Sequence, residues 1–291
     1  MTPAFDIIVC GSLHLDIVVD SPHLPQLDET VPGTDWKKIC GGKGGNQAVM
    51  AAKAGVRTAM IGCVGDDDFG QTLTANLAVN SINIDHVSVD TDRGTGMSVA
   101  IVQNSGEYGA VIVSGSNLAL SPEKAAEAWA ELGGAKVLIL QNEVAEAVNV
   151  AVARAAKSSG GQVVLNAAPA RTISDALLEL VDLLVVNRVE AEMMSGMVVS
   201  DKISALNALP KLARVGQDAI ITLGGLGLVY QTKAKTAYFI EPHKISVKST
   251  HGAGDCFIGV LAGELANGVD ISAACTKANQ SAAKFVAGVE F

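Results

Sequence analysis

The stretch "STHGAGDCF" (249–257) places a carboxylate, Asp255, directly behind two glycines and an alanine, with a Gly- and Ala-studded apolar run after it. That order marks the start of a helix. Gly252 and Gly254 let the amides of residues 252–255 turn toward one point, and such a nest at a helix N-terminus binds anions. Asp255, in the first turn, then has two uses. It can answer the helix dipole, worth about 0.3–1 kcal/mol, or act as a base beside a phosphate being transferred. Phosphoryl transfer asks for a donor clamp, a metal and a positioned base, with little covalent work from the protein. The loop carries two of those three.

Other polar groups follow apolar runs in the same way. "GGKGGNQA" (41–48) runs four glycines into a helix, but Lys43 precedes Gly44 rather than Ser or Thr, so this is no Walker A loop. Its glycines suit close backbone approach to a ligand or a tight turn, while Asn46 and Gln47 offer amides that can hydrogen-bond hydroxyls instead of capping. Asp16 in "GSLHLD" (11–16) follows the first expected strand, where a carboxylate grips two hydroxyls of a polyol or sits solvated in a loop. Glu143, just after "KVLILQN", has an equivalent position and the same two readings. Asn187 and Glu190 in "NRVEAE" (187–192) lie three apart at a helix start, a spacing that holds water around a divalent cation or closes a capping box. "TLGGLG" (222–227) ends a strand in glycines, fit for a nucleotide's phosphate or ribose or for a hairpin turn, and "NAAPA" (166–170) follows a strand too. Independent turns need not collect Asp, Asn, Glu and Gly at the same end of successive strands. Together these pieces point to one ligand cleft.

The elements that must position them alternate. Short Val- and Ile-rich runs at 6–12, 58–65, 136–141, 162–166, 182–187 and 218–224 read as buried strands. Between them the patterns at 45–54, 69–79, 122–132, 145–159 and 202–215 read as helices. That alternation predicts an α/β fold, a doubly wound and mostly parallel sheet with helices on both faces. Two regions break the rhythm. Residues 13–40 hold "LHLDIVVD" and "WKKIC" around a Pro-rich turn, and 95–114 hold two extended runs around Asn104-Ser105-Gly106, a hairpin signal. These four pieces predict a small antiparallel sheet, a lid of 13–40 and 95–114 over a main domain of 1–12, 41–94 and 115–291. Such a lid would cover the strands' C-terminal edge, where ligands bind in open α/β sheets.

Bulk chemistry agrees. Half-hydrophobic composition (49%) with only 4% aromatics suits buried parallel strands and small-residue helices. A net charge of −9 without any basic run excludes nucleic acid and anionic membranes as partners, so a polyanionic ligand would need local amides or a metal. Five cysteines without a C-x-x-C pair read as packed, reduced thiols of a reducing compartment. The N-terminus lacks a basic region, and no segment approaches the ~20 apolar residues of a membrane span, so a soluble, cytoplasmic protein is expected.

With these residues in hand, the chain resembles the ribokinase family of carbohydrate kinases from residue 6 to about 287. The resemblance rests on "GSLHLD", "GGKGGNQA", "GCVGDDDFG", "NAAPA", "NRVEAE", "TLGGLG" and "GAGD", all in family order. It implies ATP-dependent phosphorylation of a sugar's terminal hydroxymethyl group with Mg2+, D-ribose being the expected acceptor, and dimerisation through the lid. Carried over by motif, Asp255 would take the proton from the attacking hydroxyl, and the amides of Gly252, Ala253 and Gly254 would form the anion hole. Asp16, Gly42, Lys43, Asn46 and Glu143 would contact the sugar. Asn187 and Glu190 would organise metal and phosphate through water, and Asn187, Thr222, Gly224, Gly227 and Asn279 would line the nucleotide pocket. One departure concerns an activating monovalent cation. Family members usually carry Asp-Thr where this chain has Ser249-Thr250, and serine's neutral hydroxyl implies weak dependence on K+. The family also continues past the last helix with a loop that supplies further cation ligands, whereas this sequence ends at "FVAGVEF". Two alternatives stay open: the same chemistry on another sugar or a nucleoside, and a non-catalytic homologue that binds sugar or nucleotide.

Overall fold

Apolar runs bounded by glycine and polar residues dictate the sheet. The computed structural model describes residues 3–103, 105, 107–214 and 216–289. The first half holds strands β1 (Phe5–Cys10), β2 (His14–Ser21), β3 (Asp35–Gly41), β4 (Thr58–Gly65), β5 (Asn83–Asp90), β6 (Met97–Gln103) and β7 (Tyr108–Val113). The second half adds β8 (Ala135–Gln141), β9 (Gln162–Asn166), β10 (Leu183–Asn187), β11 (Asp218–Thr222), β12 (Leu228–Gln231) and β13 (Ala237–Ile240). Nine of them form one sheet in the order β13-β12-β11-β10-β9-β8-β1-β4-β5, parallel from β11 to β5 and antiparallel at β12 and β13.

Alternation along the strands splits the core in two. Ile8 and Cys10 of β1 face one way, toward helices α3 (Pro122–Glu131) and α4 (Glu146–Ser158). A short helix, α5 (Asp175–Leu178), with α6 (Arg188–Ser195) and α7 (Lys202–Leu212), completes that layer. Ile7 and Val9 face α1 (Lys43–Lys53), α2 (Asp68–Val79), α8 (Ala253–Ala266) and α9 (Ile271–Val286). The expected doubly wound architecture is therefore present. The sheet grows from β1 to β4 and β5 on one side and, after the chain crosses back, from β8 to β13 on the other, so the topological switch point, the place where such sheets bind ligands, lies between β1 and β8.

The remaining strands form a separate four-stranded sheet in the order β3-β2-β6-β7. The expected antiparallel sheet needs one correction: its central pair, β2 and β6, runs parallel. Both strands leave the main sheet in the same direction, and each returns through its own antiparallel partner. Asn104 and Gly106 of the expected turn lie outside the described residues, as does residue 215 of the expected last turn of α7. Where the chain crosses between the sheets, Asn117 clamps the main chain of Leu13, accepting from its N–H and donating to its carbonyl, each at 2.8 Å. Asp67, the N-cap of α2, binds the Thr95 main-chain N–H at 2.8 Å.

Candidate active site

The N-termini of α1 and α8 meet at the C-terminal edge of the sheet. They can do so because Gly259 removes a side chain from α8: a Cβ there would stand 2.6 Å from Met50 Cβ and 2.7 Å from Ala51 N of α1. This close approach sets the first turn of α1 against Asp255. Asn46 Nδ2 donates to Asp255 Oδ2 at 3.0 Å, and Gln47 Nε2 donates to Oδ1 at 2.9 Å. Asn46 and Gln47 were expected to serve ligand hydroxyls. In the fold both hold Asp255, and Gln47 is fully buried.

Gly252 caps α8 at φ 77°, a left-handed conformation that glycine adopts without the Cβ penalty. Ala253, Gly254 and Asp255 form the first turn behind it. Gly254 is exposed, and no protein atom lies within 4 Å of where its Cβ would stand. Asp255 is 8% exposed. Burial pushes its carboxyl above the ordinary aspartate range, while the Lys43 charge and the two amide hydrogen bonds pull the other way. Asp255 does not merely answer the helix dipole; it is a desolvated carboxylate facing a lysine.

A hollow of about 120 Å³ beside it is lined by Lys43, Asn187, Glu190, Thr222, Gly252 and Asp255. It shares Thr222, Gly254 and Phe257 with a larger cavity of about 570 Å³. The larger cavity runs past Gly224 and Gly227 into a slot between Ile245 and Val247 on one side and Asn279 and Val286 on the other. Asn279 Nδ2 donates to the Glu241 carbonyl at 3.0 Å. The glycines of 224–227 turn β11 into antiparallel β12, the hairpin reading of "TLGGLG", and also line this cavity.

Asn187 and Glu190 form a complete capping box at the start of α6. Asn187 Oδ1 accepts from Glu190 N at 3.1 Å, and Glu190 Oε2 accepts from Asn187 N at 2.6 Å. Glu190 is nevertheless buried on the hollow, and desolvation raises its carboxyl despite Lys43 and Asn187. Among the described residues no three His, Cys, Asp or Glu side chains cluster as a metal cage. The two carboxylates on the hollow, Glu190 and Asp255, are too few for an all-protein cage and suit a divalent ion held mostly by phosphate oxygens and water, the usual state of Mg2+.

The other predicted residues border this edge. Asp16 lies within β2 rather than in a loop; its Oδ1 accepts from Ser98 Oγ of the neighbouring β6 at 2.5 Å. Glu143 Oε2 accepts from the Lys43 N–H at 2.9 Å and from Ser12 Oγ. Gly42 caps α1 at φ 84°. A Cβ on Gly44 would meet Gly11 C and Ser12 N at 2.7 Å each, so that glycine serves contact with the β1–β2 connection rather than with a ligand. Ser249 is exposed, with its Oγ accepting from His251 N at 3.3 Å, and the Lys248 ammonium would stand 3.2 Å from a Cβ on Gly288. A neutral hydroxyl is a weaker ligand for a monovalent cation than a carboxylate.

Sequence reasoning missed Ser12, Ser98 and Gln141. Gln141 closes the apolar run 137–140 of β8 and donates to Gln47 at 2.8 Å. A polar side chain closing the run "VLIL" was its signal. Ser98 had none, because its role depends on how β6 pairs with β2.

Residues 4–289 match the pfkB family carbohydrate kinases. Ribokinase of Haemophilus influenzae is 35% identical over 86% of this chain and 82% of its own. Deoxyribokinase of Salmonella typhi is 32% identical over 97% of this chain and 93% of its own. Among solved structures, Arabidopsis thaliana ribokinase complexed with ribose and ATP superposes with a TM-score of 0.89 at 27% identity, covering 98% of this chain and 93% of its own. The chain belongs to the pfkB family of carbohydrate kinases, phosphotransferases with an alcohol group as acceptor.

Proposed function

We propose that this protein transfers the γ-phosphoryl group of ATP to the terminal hydroxymethyl group of a pentose, D-ribose in the first instance. The observation that carries this reading is Asp255: a buried carboxylate at the first turn of α8, joined to Lys43 by one hollow that opens into a cavity of about 570 Å³. Ribokinases among the relatives support the acceptor, and the Arabidopsis complex supports ATP as donor.

In this reading Asp255 accepts the proton of the attacking hydroxyl, which general-base catalysis makes worth about 10²–10⁴ in rate. The amides of Gly252, Ala253 and Gly254 stabilise charge on the transferred group, Ala253 N–H giving up its 3.3 Å hydrogen bond to the Thr250 carbonyl to do so. Asp16, Gly42, Lys43 and Glu143 hold the sugar, with Asp16 gripping its hydroxyls, and Asn46, its Nδ2 given to Asp255, offers the sugar its Oδ1. Asn187, Thr222, Gly224, Gly227 and Asn279 border the nucleotide, whose base takes the apolar slot by Val247 and Val286. Mg2+, when bound, neutralises phosphate charge. Glu190 and Asn187 orient its waters. The neutral hydroxyl of Ser249 favours turnover that depends weakly on K+.

The four-stranded sheet, residues 13–40 and 95–114, acts as the lid. In its register Ile17, Val19, Trp36, Val99, Ile101 and Val111 share one face, opposite Asp16 and Ser98. Trp36 and Val111 are 60% and 69% exposed. Pairing of two lids through this face would cover it and give a homodimer. The described residues contain no helix long and apolar enough to cross a membrane, and all five cysteines are free thiols, which supports a cytoplasmic setting.

The deoxyribokinase relative favours one second reading, deoxyribose as acceptor. An ATP-consumption assay over ribose, deoxyribose, ketohexoses and nucleosides, with Mg2+ and with or without K+, tests the proposal. Ribose should give the highest kcat/KM. A higher value for deoxyribose moves the assignment to that sugar, and silence across the panel alongside measurable ribose binding defeats catalysis.

A further inference from the structure

Asp255 sits at the end of a line of buried amides that runs away from the cavity into the core. Gln47 Nε2 donates to Asp255 Oδ1 at 2.9 Å and to Asn166 Oδ1 at 3.1 Å. Gln47 Oε1 accepts from Gln141 Nε2 at 2.8 Å. Gln47 and Gln141 are both fully buried. The direction of this line is set at the cavity end. An ionised carboxylate only accepts hydrogen bonds, so Gln47 must turn its NH2 toward Asp255, and its carbonyl then needs a donor on the far side. Gln141 is that donor.

The far end is left unpaired. Gln141 Oε1 has no hydrogen-bond partner among the described residues. It lies against Gly11, where a Cβ would stand 1.8 Å away. Leaving a buried carbonyl unsatisfied costs stability, and an apolar residue at 141 would continue the buried run Val137, Leu138, Ile139 and Leu140 without that cost. What a glutamine adds is the hydrogen bond to Gln47. Asn149 Nδ2, on α4, binds the Gln141 carbonyl at 2.7 Å and ties this end of β8 down.

We propose that Gln141 and Gln47 are positioning residues for the base: Gln141 fixes which way the Gln47 amide faces, and Gln47 holds Asp255 in one orientation toward the acceptor hydroxyl. This rests on reading Asp255 as the base. Without Gln141 the Gln47 carbonyl loses its donor, and the NH2 is held, among the described residues, only by Asp255 Oδ1 and Asn166 Oδ1. The buried, unsatisfied carbonyl then lowers the cost of turning the amide over against Asp255, an arrangement that only a protonated carboxyl accepts. Loss of the line therefore slows proton removal and moves the acidic limb of turnover to higher pH.

The test is a set of kcat–pH profiles, with KM values and thermal midpoints, for the wild type, Gln141→Met, Gln47→Met and the double variant. Gln141→Met should lower kcat roughly tenfold to a hundredfold, part of the ~10²–10⁴ that a positioned base supplies. Its acidic limb should move up, with both KM values held within about twofold. The double variant should be no slower than Gln47→Met, because Gln141 acts only through Gln47. A Gln141→Met enzyme with wild-type kcat and acidic limb overturns the proposal, as does a lowered midpoint with an unmoved limb, or losses that multiply in the double variant. If these variants fail to fold, a neutron structure of the wild type decides: deuterium on the Gln47 nitrogen facing Asp255 is expected, and a reversed amide overturns the idea. Asp255→Asn separates the two readings. Near-normal turnover there removes the base itself, whereas a dead Asp255→Asn beside a normal Gln141→Met removes only the positioning line.

Discussion

Two buried aspartates sit at opposite ends of the sheet and are treated in opposite ways. Asp6, at the start of β1, meets Arg57 Nε at 3.0 Å, Arg57 Nη2 at 3.2 Å and Lys136 Nζ at 2.8 Å. The Arg57 hydrogen bond, reinforced by Lys136, holds its carboxyl well below the usual range against the cost of burial. Asp255, at the start of α8, receives, among the described residues, the side-chain amides of Asn46 and Gln47 and no cation's hydrogen bond, and burial holds it above that range. A carboxylate paired with cations is fixed as an anion. One held by amides keeps its charge at a cost and remains able to take a proton, which is what a base requires.

That contrast can be broken at either end. The largest effect is expected at Asp255→Asn, where kcat should fall by about a thousandfold or more, as loss of a general base implies. Its thermal midpoint should drop by no more than about 4 °C, since a costly buried charge has been removed. Gly254→Ala comes next. No protein atom opposes the new methyl, so the chain should fold, but the methyl would intrude on the cavity and lower kcat/KM for ATP by roughly tenfold.

Asp6→Asn should do the reverse of Asp255→Asn, costing about 1–2 kcal/mol in denaturant unfolding while turnover per folded molecule stays unchanged. The figure is modest because Arg57 and Lys136 are 58% and 41% exposed and screened by solvent. The signs with pH also oppose. The depressed Asp6 contributes stability that is present above its unfolded value, about 3.9, and is lost as pH falls through its folded value. For the raised Asp255 the contribution is fully present below the unfolded value and is lost as pH rises through the folded one. Mild acid should therefore stop turnover, reversibly, while circular dichroism still reports a folded chain. The smallest change is expected from Ser249→Asp, which should make a K+ titration of activity steeper than in the wild type.

Much of this was legible in the sequence, for physical reasons. Strands buried on both faces are continuous apolar runs, so β4 and β9 fall at the expected residues and β8 within one of them. β5, "NIDHVSVD", is an edge strand that mixes charges with apolar residues, and β12 and β13 are four residues each; none announces itself. The parallel pairing of β2 with β6 depends on where the chain leaves the main sheet, which no local pattern carries. At the site, the glycines around Asp255 and the Asn-x-x-Glu spacing of Asn187 and Glu190 were readable because caps and nests are local. The grip on Asp255 was not. It needs α1 and α8, about two hundred residues apart in the chain, to touch at Gly259.

The central claim, that the two aspartates divide catalysis and stability between them, is tested most directly by measuring turnover at saturating ribose and ATP in Asp255→Asn and Asp6→Asn side by side, normalised to folded protein. The account predicts a crossed result, with turnover lost in Asp255→Asn while calorimetry still detects both ligands, and retained in Asp6→Asn. Near-normal turnover in Asp255→Asn, or equal loss in both variants, would contradict it.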